Sequence, residues 1–376
     1  MKITTAGESH GKALIAVIEG LPAGLKLDFK EIQEKLAMRQ SGYGRGARQK
    51  IEQDTAEILT GVRDSVTLGS PVTLAVFNRD YENWRAYMAP EGCDVSARAV
   101  SKVRPGHADL AGLLKFGGCD ARNILERASA RETAVRVAAG TVARQYLRAL
   151  GVEITGYVRA CGEVTDEGEY TFEEIVKNRS AALGMMNADC ESEAIAYIDG
   201  CTVRGDTCGG ALELRVKGLK SGFGSCMTYA EKLDARLAAA LMSVQAVKGV
   251  EFGLGFRAAN LPGSEVHDEI FYEEGRGFYR RTNRAGGIEG GMSNGEELIV
   301  RAVMKPIPTL MRGLNTVDFV CKMPVRAATE RSDVCAVTAC EIILESALAA
   351  ELAKVVAERL GGDNMAEVVE RYGRLS

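Results

Sequence analysis

No run of apolar residues in this chain is long enough to span a bilayer, because Glu19 interrupts the stretch 13–25 and polar residues break the other candidates. No membrane partner is expected. The opening Met1-Lys2-Ile3-Thr4-Thr5-Ala6-Gly7 lacks the apolar segment of a signal peptide, so a cytoplasmic location is expected. Metal-ligand spacing is missing as well. Ten cysteines are scattered from Cys93 to Cys340 without a C-x-x-C or a Cys/His cluster, so no metal is expected and the thiols read as small buried hydrophobes of a reducing compartment. Basic charge is not in excess. With 47 Lys and Arg against 51 Asp and Glu, the formal charge is −4, which offers no overall field for nucleic acid. Any anion site must be local. No solenoid repeat is visible, and histidine is scarce, with three in the chain.

What is present is ample core. A chain of 376 residues with 46% hydrophobic and 26% charged residues is an ordinary globular composition, read as one large layered domain spanning 1–376. Strands are expected at 2–5, 13–18, 51–62, 71–77, 152–163, 212–216 and 297–303. Asp28 caps a helix with Phe29, Ile32 and Leu36 inward, ending near Arg39. The stretch 78–103 reads as a long excursion, 110–116 as a short helix, 120–126 as a feeder segment, 165–180 as a surface connection and 191–199 as helical. Ser129 and Glu132 form a capping-box pattern at the start of a helix reaching Leu150, on which Val135, Ala138, Ala139, Val142, Tyr146 and Ala149 make a small apolar face. A second alanine-rich helix is expected within 229–247, and a C-terminal one at 339–359, stopped by Gly361-Gly362. The class is α+β. Two related halves, roughly 1–160 and 161–376, would each offer strands and then a small-faced helix.

Chemistry concentrates in a few places. His10 and His107 sit beside glycine with an acid nearby, Glu8 or Asp109, a setting suited to an acid or base near neutral pH. His267 lacks such a context and reads as a surface residue. Arg127 and Arg131 crowd the expected helix cap, where the helix dipole favours an anion and added positive charge needs one. Arg39, Arg45 and Arg48 flank a glycine-rich loop and suit a clamp for a small polyanion, since guanidinium groups pair bidentately with phosphate and carboxylate. Two other classes remain open on the residues. Gly7-Glu8-Ser9-His10-Gly11 formally matches a G-x-S-x-G nucleophile elbow, which would make Ser9 a hydrolase nucleophile, although strands are expected on both sides of it. The Gly/Arg loop at 41–50 would suit a polyanion- or nucleic-acid-binding module, against which the acidic total argues.

Five motifs together resemble the chorismate synthase family: Gly7-Glu8-Ser9-His10-Gly11, Arg104-Pro105-Gly106-His107-Ala108-Asp109, Arg127-Ala128-Ser129-Ala130-Arg131-Glu132-Thr133-Ala134, Ala285-Gly286-Gly287-Ile288 and Arg331-Ser332-Asp333-Val334-Cys335. They occur in the family's order from the first residues to about Glu345. The resemblance implies a β-α-β sandwich, with antiparallel sheets outside and long helices between them, assembled as a homotetramer. It implies a lyase that converts 5-enolpyruvylshikimate 3-phosphate to chorismate and phosphate by 1,4-anti elimination. That reaction closes the shikimate pathway to aromatic amino acids and needs reduced FMN without net redox change.

By that resemblance Arg39, Arg45, Arg48, Ala130, Arg131 and Arg331 are expected to hold the substrate. Arg127, Ala128, Ser129, Gln245, Ala246, Gly290, Lys305, Pro306, Ile307, Pro308, Thr309 and Arg331 match flavin-binding positions. His10 is expected to protonate the departing phosphate, His107 to protonate or stabilise the reduced flavin near N1, and Asp333 to relay a proton from N5. Arg39 and Arg45 also match NADPH positions of members that reduce their own flavin, so self-reduction and a separate reductase both stay open. The pattern departs at Gln245, Thr338 and Met38, where Asn, Pro and Arg are expected, which bears on affinity more than on activity.

Overall fold

The computed structural model describes residues 1–46, 53–328 and 333–375. Alternation of apolar and polar side chains builds its first sheet. Strands β1 (Lys2–Ala6), β2 (Ala13–Glu19), β3 (Ala56–Thr60) and β4 (Val72–Phe77) pair antiparallel in the order β1-β2-β4-β3. Leu14, Ala16 and Ile18 of β2 and Val72, Leu74 and Val76 of β4 are fully buried on one face, as a period of two requires when one face meets the core. That face is covered by a helix. The second sheet is also antiparallel, with β5 (Glu153–Cys161), β6 (Val164–Thr165), β7 (Gly210–Lys217), β8 (Val247–Phe252) and β9 (Leu298–Met304) in the order β8-β9-β7-β5-β6.

Four helices carry the core between these strands. They are α1 (Phe29–Gln40), α2 (Thr133–Arg148), α3 (Leu233–Met242) and α4 (Val337–Leu360). Helix α2 packs on β2 and β4, α4 packs on β5 and β7, and α2 and α4 lie against each other, with α1 and α3 beside them. Small residues make that contact close. A Cβ at Gly140 would lie 2.5 Å from both the Cβ and the backbone oxygen of Ser346, so glycine is required where the two long helices touch despite its poor helix propensity. Charge is buried here too. Glu341 and Glu345 of α4 are met by Arg179 at 2.7 Å, Arg144 at 2.9 Å and Lys35. Burial and the neighbouring Glu345 push the Glu341 carboxyl up to about 8.

Several local expectations change. Ser129 and Glu132 do not form a capping box: the Ser129 hydroxyl accepts from the Arg131 N–H, while the Glu132 carboxylate accepts from Thr5 and Gln245. Tertiary partners outcompete the local ones, a 3-10 turn fills Ala130–Glu132, and α2 starts at Thr133. Arg127 belongs to the last turn of a preceding helix, Arg122–Ala128, where the dipole favours a cation. A real capping box forms at Thr171 and Glu174, opening the helix Phe172–Asn178 inside the expected surface connection. The excursion 78–103 holds the helix Tyr81–Met88, whereas the alanine-rich helix expected on the run 232–242 is found at Leu233–Met242, after which Ala246 turns left-handed into β8. A hairpin at Ile270–Glu273 and Gly277–Arg280 and a last helix, Met365–Gly373, were not expected. Of the strand expected at 51–62, positions 51–52 lie outside the described residues. The cysteines divide: Cys161, Cys201, Cys208, Cys335 and Cys340 are buried, whereas Cys119, Cys226 and Cys321 are exposed.

Candidate active site

A cavity of about 580 Å³ opens where the β1–β2 loop, the end of α1, the 3-10 turn before α2, the segment after β9 and the start of α4 converge. Arg39, Arg45, Arg104, Arg122, Arg131 and Lys305 line it, against Asp333 as the one acidic lining side chain among the described residues. Such an imbalance in a sheltered space favours a polyanion. Its floor is a fixed array. The buried Asp54 carboxylate bridges two guanidiniums, meeting Arg39 at 3.3 Å and Arg131 at 2.5 Å. Arg39 also donates to Thr133 Oγ1 and the Ala130 carbonyl, and Arg131 to Asn78 Oδ1, each at 2.9 Å. Burial lowers the Arg39 guanidinium to about 10, with Asp54 opposing and Arg131 and Arg45 adding to the shift. An anion arriving here would relieve that burden.

Both histidines are oriented by buried carboxylates. His10 Nδ1 lies 2.8 Å from Glu126 Oε1, and the His10 backbone N–H donates to Oε2 of the same group at 2.8 Å. Burial pushes the Glu126 carboxyl up, but its hydrogen bonds and charge contact with His10, with Arg122 behind them, bring it below the ordinary value. The opposite face of His10 stacks on Trp84 at 3.9 Å between ring centroids. His107 Nδ1 lies 2.5 Å from Asp109 Oδ1, and Arg104 Nε donates to Oδ2 of that carboxylate at 2.9 Å. Asp109 is fully buried; desolvation alone would raise it, and the His107 and Arg104 hydrogen bonds hold it well below the carboxylate range. Asp333 accepts from the Gly46 backbone N–H at 2.6 Å and pairs with Arg45 at 3.0 Å.

Among the expected site residues, His10, His107, Asp333, Arg39, Arg45, Ala128, Ser129, Ala130, Arg131, Gln245, Ala246, Lys305, Ile307, Pro308 and Thr309 all line this one cavity. Arg127, Pro306 and Gly290 do not. The Arg127 guanidinium turns away to donate to the Thr5 and Gly7 carbonyls, each at 3.2 Å, and Gly290 sits in the small hairpin pairing Ile288–Glu289 with Met292–Ser293. Arg48 and Arg331 lie outside the described residues. The acid next to His10 in sequence, Glu8, is not its partner. Glu126 is, and nothing in local spacing announces a carboxylate that a separate helix delivers. Asp54, Arg122 and Trp84 went unnoticed for the same reason, whereas Arg104 and Asp109 lie inside a motif already singled out.

The nucleophile-elbow pattern at Ser9 fails on geometry. Its pentapeptide is the connection between antiparallel β1 and β2, with no helix after it, so Ser9 cannot occupy the strand-to-helix turn that exposes such a nucleophile. Instead its backbone N–H donates to the Glu126 carbonyl.

A mixed α and β enzyme, binding a small polyanion and holding two histidines on buried carboxylates, is the class that fold and site define. The comparisons sharpen it. The family model described as "Chorismate synthase" matches residues 1–357. The chain is 52% identical to the chorismate synthase of Geobacter sulfurreducens, across 99% of this chain and 97% of that one. With the enzyme of Caldicellulosiruptor bescii it shares 49% identity, over 100% and 99% of the two chains. A solved structure titled "Crystal Structure of Chorismate Synthase" superposes with a TM-score of 0.78 at 38% identity, covering 99% of this chain and 96% of that one. The chain belongs to the chorismate synthase family, lyases that eliminate phosphate.

Proposed function

We propose that this chain converts 5-enolpyruvylshikimate 3-phosphate to chorismate and phosphate by 1,4-anti elimination, the last step of the shikimate pathway, with reduced FMN bound in the same cavity. The observation that carries this is one cavity holding six cationic side chains and two carboxylate-anchored histidines. Substrate and cofactor together bring two phosphates and two carboxylates, which such a lining would neutralise. Arg39, Arg45 and Arg131 would hold the substrate's acidic groups beside Ala130.

The residues present fit a flavin nucleotide. Buried Arg45 Nε and Gln245 Oε1 have no hydrogen-bond partner among the described residues, and both belong to lining side chains. One donor and one acceptor therefore await a ligand that offers the complements. Ala128, Ser129, Gln245, Ala246, Lys305 and 307–309 would hold FMN, with Arg127 and Pro306 supporting their segments from outside the wall. Reduced FMN, when bound, supplies electron density to the breaking C–O bond. Glu126 holds His10 by Nδ1, which leaves Nε2 to deliver a proton to the departing phosphate. Asp109 and Arg104 fix His107, so that its ring steadies negative charge beside the cofactor. Asp333, aligned by Arg45 and Gly46, would pass a proton onward.

We further assign the chain a β-α-β sandwich of two related halves, a homotetrameric assembly and a cytoplasmic location. The α2–α4 contact between two antiparallel sheets supports the first of these. No helix among the described residues is long and apolar enough to cross a membrane. The test is an anaerobic assay with dithionite-reduced FMN, following chorismate absorbance and phosphate release. Repeating it with oxidised FMN and NADPH separates self-reduction from dependence on a reductase. His10→Ala and His107→Ala should each lower turnover by about 10²- to 10⁴-fold. Full activity of both variants with pre-reduced flavin would sink the assignment.

A further inference from the structure

Away from the cavity wall, three thiols far apart in sequence meet in the core. Cys161 ends β5, Cys208 precedes β7, and Cys335 precedes α4. Pairing of Cys161 with Gly210 in the second sheet brings the first two together, and the Cys208 N–H donates to the Val334 carbonyl, which draws in the third. Cys161 Sγ lies 4.0 Å from Cys208 Sγ and 3.8 Å from Cys335 Sγ, and all three sulfurs fall within 4.8 Å of one another. None is more than 2% exposed.

We propose that Cys161, Cys208 and Cys335 form a trigonal all-thiolate site for a soft monovalent metal ion of the Cu(I) class.

The spacing carries the argument. Three sulfurs placed about 2.3 Å from one ion in a plane stand about 4.0 Å apart; the Cys161–Cys208 and Cys161–Cys335 separations match that, and the third edge is no longer than 4.8 Å. The donor set then selects the ion. Sulfur alone disfavours hard cations such as Mg²⁺ and Ca²⁺. Structural zinc takes four ligands, and among the described residues the cluster contains no fourth His, Cys, Asp or Glu. A three-coordinate, thiophilic ion is what remains. Loading breaks three S–H bonds, releases three protons to solvent and forms three metal–sulfur bonds, with no change of oxidation state.

Because Cys335 stands two residues from Asp333, an occupied site would tether one wall of the catalytic cavity.

The experiment uses the full reduced chain under anaerobic conditions, with Cys93, Cys119, Cys190, Cys226 and Cys321 changed to serine to silence the accessible thiols. Cu(I) is supplied as its acetonitrile complex against a colorimetric Cu(I) chelator, and copper X-ray absorption reports the coordination. One Cu(I) per chain is expected, bound by three sulfurs at about 2.3 Å. Cys208→Ser should weaken binding at least ~100-fold, with the metal-free chain still folded but slightly less stable because a hydroxyl replaces a buried thiol; Cys161→Ala serves if that variant does not fold. Two-sulfur coordination, equal affinity in both variants, or a Cys161–Cys335 disulfide in anaerobic chains that take up no copper would each overturn the proposal.

Discussion

Replacing Asp54 by Asn isolates the electrostatics of the cavity floor. One buried carboxylate faces two buried guanidiniums, at 3.3 Å from Arg39 and 2.5 Å from Arg131. At an effective dielectric near 20, unit charges at these separations attract by about 5 and about 7 kcal/mol. Desolvation of the three groups offsets most of this, and breaking such a buried array typically costs about 3–5 kcal/mol. Asn keeps the shape but leaves the two cations facing each other. With an unfolding entropy of ~2.1 cal/mol/K per residue, a chain of 376 residues should unfold about 4–6 °C lower. An anion restores the missing charge. Saturating inorganic phosphate should therefore raise the Tm of the variant more than that of the wild type, by linkage to a tighter anion site. Differential scanning calorimetry with and without phosphate measures both effects. An unchanged Tm, or equal phosphate shifts in the two proteins, would refute the idea that Asp54 supplies the charge holding Arg39 and Arg131 together.

Glu126→Gln should retain an acceptor for His10 but lose the anchoring charge, lowering turnover about 10- to 100-fold and altering its pH profile; an unchanged profile would deny Glu126 a positioning role. Gly140→Ala should destabilise by about 1–3 kcal/mol through collision with Ser346, despite the better helix propensity of Ala, as read by urea unfolding. Glu341 titrates in the fold at about 8, above its ordinary 4.5. Its contribution is therefore complete below about pH 4.5 and lost as pH rises towards 8. Glu341→Gln should remove that dependence, so the variant gains stability on wild type as pH rises from 5 to 8, and parallel stability curves would contradict it. Trp84→Leu removes the ring stacked on His10, and a fall in turnover with an unchanged KM is expected.

Amino-acid order alone determined what depends on neighbours a few residues away. The alternation in β2 and β4, the Asp28 cap of α1, whose carboxylate accepts from Lys30 and Glu31, and the apolar face of α2 are local patterns, and they appear in the fold close to where spacing places them. The motifs around His10, His107 and Asp333 are local as well, which is why their residues were legible and their cavity was not. Tertiary structure decided the rest. Ser129 and Glu132 exchanged their reciprocal cap for distant partners because Thr5 and Gln245 offered better ones. Glu126 reached His10, and Asp54 reached Arg131, across 116 and 77 positions of chain. Three cysteines with no metal-ligand spacing became one sulfur cluster through sheet register and the docking of α4. Spacing encodes what 3.6- and 2-residue periods can align, whereas which buried charge meets which partner follows from how sheets and helices pack, since only packing removes the water that would otherwise serve every one of them.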